Sequence, residues 1–87
     1  MQKTHILWAD DEIDFLKPHI LFLESKGYKV ATVNNGNDAV EAFKNGFCHL
    51  IFLDENMPGL TGLATLATTK SINPTVPIAL VTKNEEA

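Results

Sequence analysis

The chain has 87 residues and a formal net charge of −4, enough for one small domain with a modest core. Hydrophobic residues make up 45% and charged residues 21%, a balance that excludes intrinsic disorder. There is no cluster of Lys and Arg to form a nucleic-acid surface in this segment, and no apolar run long enough for a membrane span or a secretory leader. A cytoplasmic location is therefore expected.

Residues 6–9 are apolar without a polar break, which predicts a strand covered on both faces. Residues 15–26 predict a helix in which Leu16, Ile20 and Leu23 form one apolar stripe. Pro18 suits only a first helical turn, so the regular part is expected from Lys17 onward. Gly27 stands where a C-terminal cap belongs. Residues 28–33 predict a second strand, and Asn34-Asn35-Gly36 a turn. A second helix follows. Its N-cap is expected at Asn37 or Asp38, with Glu41 three residues after Asp38 in a capping-box arrangement. Ala39, Val40 and Phe43 are its expected inner face and Gly46 its stop.

Residues 48–53 predict a third strand and residues 54–61 a loop. Residues 62–71 predict a weaker helix, because threonines lower its propensity; its expected face is Leu63, Leu66 and Ala67. Asn73-Pro74 ends it. Residues 77–82 predict a fourth strand, and residues 83–87 the start of another helix. Phe15, Phe22, Phe43, Phe47 and Phe52 are expected in the core, and Trp8 in it or beside it. Cys48, the single cysteine, lies in an apolar run and is expected to be a buried, inert thiol. His5, His19 and His49 show no metal-ligand spacing and are expected to be structural or on the surface.

Strands joined by helices run parallel, because each helix returns the chain to the starting edge. The pattern β-α-β-α-β-α-β therefore predicts an open, doubly wound α/β sheet. Such sheets place their sites beyond the carboxyl ends of the strands. The first strand ends in Asp10-Asp11-Glu12, the third in Asp54 and the fourth in Thr82. If strands one and three are neighbours, Asp10, Asp11 and Asp54 converge. Three carboxylates so placed repel one another. Protonation of one, or a hard divalent cation, relieves this. Mg²⁺ suits the set, since it takes oxygen ligands and keeps waters that a phosphate can displace. A cation there would also allow a carboxylate to attack an anionic phosphoryl group. Thr82 would offer a hydroxyl to the product. Taken singly, each has a simpler reading: helix-dipole charges for Asp10-Asp11, a turn or cap for Asp54, a β-former for Thr82.

Leu7-Trp8-Ala9-Asp10-Asp11-Glu12 resembles the first-strand signature of response-regulator receiver domains. Residues 51–62, Ile-Phe-Leu-Asp-Glu-Asn-Met-Pro-Gly-Leu-Thr-Gly, resemble their phosphoacceptor signature. Residues 77–82 are a looser match, and residues 6–33 are also similar to the PorX-type regulators of Bacteroidetes. The resemblance implies a flavodoxin-like sheet of strand order 2-1-3-4. It implies Asp54 as phosphoacceptor, Asp11 as a direct Mg²⁺ ligand, Asp10 as a ligand largely through water, and the Asn56 backbone carbonyl as a further ligand. It implies Thr82 as the switch hydroxyl and places the side chains of Asn56 and Asn84 where they influence the lifetime of the phosphoryl group. Pro58 and Gly59 would shape the loop; Gly59 and Gly62 gain no chemical role from it. The implied partners are a sensor histidine kinase or phosphotransfer protein and an output domain or effector.

Two departures stand out. Thr61 replaces a frequent Asp, which predicts a change of helix cap. Lys83 follows Thr82 where a small residue is usual, and would crowd or gate the phosphate site. Receivers also carry a fifth strand ending in a lysine, and a last helix, which the 87 residues do not reach. The chain is thus expected to be the front part of a receiver, with an open fourth-strand edge prone to dimers or swapped oligomers. It is not expected to turn over an external substrate. Two alternatives compete. An aspartyl-phosphate phosphohydrolase would want an acid at position 56 and lacks the early acidic pair. A receiver-like interaction module that is never phosphorylated would not need the acids and Thr82 together.

Overall fold

The computed structural model describes residues 4–46, 48–55, 57 and 59–81. Four strands form one parallel sheet: β1 (His5–Ala9), β2 (Lys29–Val33), β3 (Leu50–Asp54) and β4 (Ile78–Val81), in the order β2-β1-β3-β4. The helices between them are α1 (Lys17–Ser25), α2 (Gly36–Asn45) and α3 (Gly62–Ile72). This is the expected doubly wound sheet with strand order 2-1-3-4. The calls on Phe47, Asn56, Pro58, Thr82, Lys83 and Asn84, and on a helix over residues 83–87, fall outside the described residues.

Strand alternation divides the sheet into two faces. Leu7, Ala9, Ile51 and Leu53 pack under α2 with Ala39, Phe43, Met57 and Val76, and these buried residues form the main core cluster. α2 lies against both β1 and α3. On the other face Trp8 and Phe52, register partners, meet edge to face at 5.1 Å and 75°, a favoured aromatic geometry. Both are half-buried.

α1 packs against β2. A single 3-10 turn, Ile13–Leu16, leads into it, and Pro18 falls in its first turn as expected. It ends in a Schellman motif: Gly27, at φ 97°, donates its N–H to Glu24 O at 3.0 Å, and Tyr28 donates to Leu23 O at 3.1 Å. Only glycine takes that φ without strain. Leu16, Ile20 and Leu23 are half-buried, but no residue of α1 or the turn before it is fully buried. The expectation that Phe15 and Phe22 are core is therefore wrong; they are 81% and 60% exposed. Each sits one position from the stripe, and one residue is about 100° of helix. The Phe22 ring instead carries Lys26 Nζ 5.4 Å from its centroid.

Two further expectations are corrected. The N-cap of α2 is Asn35, not Asn37 or Asp38: its side-chain oxygen accepts from Asp38 N–H at 2.8 Å, and its amide donates to the Asp38 carboxylate at 2.9 Å. Gly36, expected in a turn, is the first helical residue. Leu66 packs against the core as expected, but the buried residues of α3 are Gly62, Thr65 and Thr69, while Leu63 is 61% exposed and Ala67 is exposed too. Buried threonines are tolerated because their hydroxyls donate within the helix. Thr65 Oγ1 reaches Thr61 O at 2.7 Å, and Thr69 Oγ1 reaches Thr65 O at 3.0 Å, so their methyl sides can face the core. Thr61 does cap α3, accepting from Ala64 N–H at 3.2 Å.

At the amino end of the sheet, His49 N–H donates to His5 O at 2.8 Å, and His5 N–H donates to His49 Nδ1 at 2.9 Å. The two rings lie 5.9 Å apart. The histidines thus close the ladder where β1 and the start of β3 meet, a structural use that their separation in sequence concealed.

Candidate functional site

The acidic residues stand at the carboxyl ends of the two central strands. Ala9 and Leu53 are register partners. Continuing that register by one residue puts Asp10 beside Asp54, across a strand spacing of about 4.8 Å. Both carboxylates are taken out of water: Asp10 is 0% and Asp54 2% exposed. Asp11 and Glu12 are exposed beside them. One carboxylate oxygen from each of Asp10, Asp11 and Glu12 can be chosen so that all three lie within 4.8 Å of one another. The structure thus brings Asp10 and Asp11 together with Glu12, while Asp54 ends the neighbouring strand outside that carboxylate group. Glu12 was legible as the third of three consecutive acids, but the family signature gave it no part.

Backbone hydrogen bonds hold this rim. Asp10 N–H donates to Val33 O at 3.1 Å, tying β1 to β2 just below the site. Asp10 Oδ1 accepts from Glu12 N–H at 2.8 Å, and Asp10 O accepts from Ile13 N–H at 3.1 Å. These two bonds turn the chain immediately after β1, so that successive acids crowd together. Glu55 N–H donates to Val81 O at 3.0 Å, which anchors the residue after Asp54 to β4.

The loop from β3 to α3 is fixed by close approach. Gly59 has φ 73°, and a Cβ there would lie 2.9 Å from Asn37 Nδ2. Gly62 donates its N–H to Glu55 O at 3.2 Å, and a Cβ on it would lie 2.3 Å from Asp54 O. Gly59 thus shapes the loop as expected, and Gly62 has a steric role that the signature did not reveal: it lets the start of α3 press against the backbone of Asp54. Met57, in the same loop, is buried in the core.

The donor set is all carboxylate oxygen, partly exposed, at the open end of the sheet. Such hard oxygen ligands fit Mg²⁺ and leave room for waters; they do not fit a soft metal.

An open parallel α/β sheet with acidic residues at the carboxyl ends of its central strands is the architecture of a doubly wound domain whose site lies beyond the strand ends. Residues 6–87 match the family model of the response regulator receiver domain, and the chain belongs to that family. It is 34% identical over 85 residues to YkoG, an uncharacterized transcriptional regulatory protein of Bacillus subtilis, covering 98% of this chain and 37% of YkoG. The response regulator TrrA of Thermotoga maritima, solved in complex with Mg²⁺-BeF, superposes with a TM-score of 0.87 at 30% identity, over 94% of this chain and 71% of that one. TrrA in complex with the histidine kinase ThkA gives a TM-score of 0.86 at 30% identity, over 95% and 72%. The chain thus spans about a third of the length of this curated relative. Among the described residues no helix is long and apolar enough to cross a membrane.

Proposed function

We propose that this chain receives a phosphoryl group on Asp54 and passes the signal to an output domain or effector. The observation that carries the reading is the pairing of two buried aspartates, Asp10 and Asp54, at adjacent central strand ends, with Asp11 and Glu12 clustered at the same rim. Family membership supports it, as does the Mg²⁺-BeF complex of TrrA. Asp10, Asp11, Asp54 and the backbone carbonyl of Asn56 would hold Mg²⁺, and Thr82 would supply the switch hydroxyl.

In the proposed reaction an Asp54 carboxylate oxygen attacks the phosphorus of a phosphohistidine or a small acyl phosphate. The new O–P bond forms as the donor's N–P or O–P bond breaks, and the leaving group departs with its electron pair. Bound Mg²⁺ supplies the positive charge that removes repulsion between carboxylate and phosphoryl oxygens. The chain's own part is positional. The β3–β4 bond at Glu55 and the contact at Gly62 fix the Asp54 backbone, and the turn at Glu12 fixes the Asp10 side chain. Burial excludes water from one side of the new acyl phosphate and slows its loss.

The partner is a histidine kinase or phosphotransfer protein, as the ThkA–TrrA complex supports, in a cytoplasmic setting where such donors act. The domain speeds only its own phosphorylation and dephosphorylation. The test uses the longest natural protein that contains these residues. It is incubated with Mg²⁺ and acetyl phosphate, and intact mass is measured. One hydroxylamine-sensitive adduct of a single phosphoryl group is expected, and Asp54→Asn should abolish it. No adduct would point to an interaction module, and steady hydrolysis of an added phosphate ester to a phosphohydrolase. Because Trp8 is the single tryptophan and lies two residues before Asp10, Mg²⁺ titration should change its fluorescence saturably. That change should be lost in Asp11→Asn.

A further inference from the structure

We infer that the first turn of α2, through Gly36, is a positioning element for Asp54, although α2 contributes no acidic group to the site. The inference rests on the phosphoacceptor reading above. A Cβ on Gly36 would lie 2.3 Å from Leu60 O, 2.6 Å from Leu60 Cβ and 2.4 Å from Thr65 Oγ1. None of these can yield cheaply. Leu60 O belongs to the backbone of the loop that follows Asp54. Thr65 is fully buried, and its hydroxyl is already bonded to Thr61 O at 2.7 Å.

The next residue repeats the contact, since the Asn37 side chain lies against Gly59. Two consecutive residues of α2 therefore seat two consecutive residues of the loop. Two positions further along, Gly62 presses on Asp54 O and Glu55 Cα. Backbone contact thus runs from α2 through residues 59–62 to the phosphoacceptor. The same loop carries position 56, whose carbonyl is an expected metal ligand. Gly36 has an ordinary helical place in α2 and no positive φ, so close approach, not backbone freedom, is what requires glycine there.

The test compares Gly36→Ala with Val40→Ala. Val40 is a buried residue of the same helix, and truncating it lowers stability without adding an atom toward the loop. In metal-free protein, Gly36→Ala should move the backbone amide resonances of Glu55, Leu60 and Gly62. It should also weaken Mg²⁺ binding, read by Trp8 fluorescence, and slow adduct formation from acetyl phosphate, each by about tenfold or more, since misplacement by about 1 Å can cost up to about a hundredfold. Val40→Ala should leave all three readouts near wild type at a temperature where both variants are folded. The inference is overturned if Gly36→Ala only lowers stability, or if Val40→Ala impairs the site equally. Should Gly36→Ala fail to fold, Asn37→Ala serves instead: its exposed side chain can be removed safely, and unchanged amides and Mg²⁺ affinity would again overturn the idea. If wild-type protein forms no adduct, the phosphoacceptor reading fails; the amide shifts in metal-free protein still decide whether α2 governs the Asp54 backbone.

Discussion

Asp10 and Cys48 show how differently the fold treats a buried and a half-buried side chain. Asp10 is completely buried, but the N–H of Glu12 meets its carboxylate and it stands at the open rim. Cys48 lies half-buried at the other end of the sheet, beside the core, and burial pushes its thiol above the ordinary value of 9.0. The thiol expected to be buried is thus only half-buried, and desolvation disfavours its thiolate. The sign of the linkage follows. The folded state favours the neutral thiol, so this contribution to stability is complete below the ordinary value of 9.0. It is lost as pH rises through the higher folded value. Urea midpoints measured at pH 7, 8.5 and 10 should therefore fall more for wild type than for Cys48→Ala. Alkylation by iodoacetamide at pH 8 should be slower in folded than in unfolded protein. A folded-state rate equal to the unfolded one would contradict this.

Among the elements, α2 and α3 depend on local bonds of different kinds. α2 starts at Asn35, whose side chain satisfies an otherwise orphaned N–H. Asn35→Ala should cost about 1 kcal/mol of stability, as N-cap removal does, and the loss should appear in a urea melt without a change in m-value. Asn37→Ala should cost less, because Asn37 is not the cap. α3 hides its hydroxyls in its own backbone. Its apolar Leu63 is left outside because Gly62 must face Asp54, and the helical period then fixes Thr65 and Thr69 on the inner side. The close approach of one glycine therefore sets the rotation of the whole helix.

At the scale of the molecule the two sheet faces are unequal. Among the described residues, one carries α2, α3 and the main buried cluster; the other carries α1, which has no fully buried residue. Local stability should follow that division. Amide exchange in α1 should be faster than in β1 and β3, and protection should be lost there first as urea is added. Equal protection across α1 and the central strands would contradict the view that the α2–α3 face supplies most of the cohesion.

The sequence by itself determined the element order, the parallel sheet and the rim of acids, because unbroken apolar runs and strand-end polarity are local signals. Pro18, Gly27 and Thr61 were legible for the same reason: each acts on its own few residues of backbone. What only the tertiary structure decided concerns contact between distant segments. Gly36 looks like a turn residue until Leu60 and Thr65 are seen against it. Gly62 looks dispensable until it touches Asp54. Phe15 and Phe22 look like core until the helix is rotated onto β2. Apolarity and periodicity record how much surface a segment must bury; they do not record which backbone atom of another segment will come within van der Waals distance, and that distance is what selects glycine.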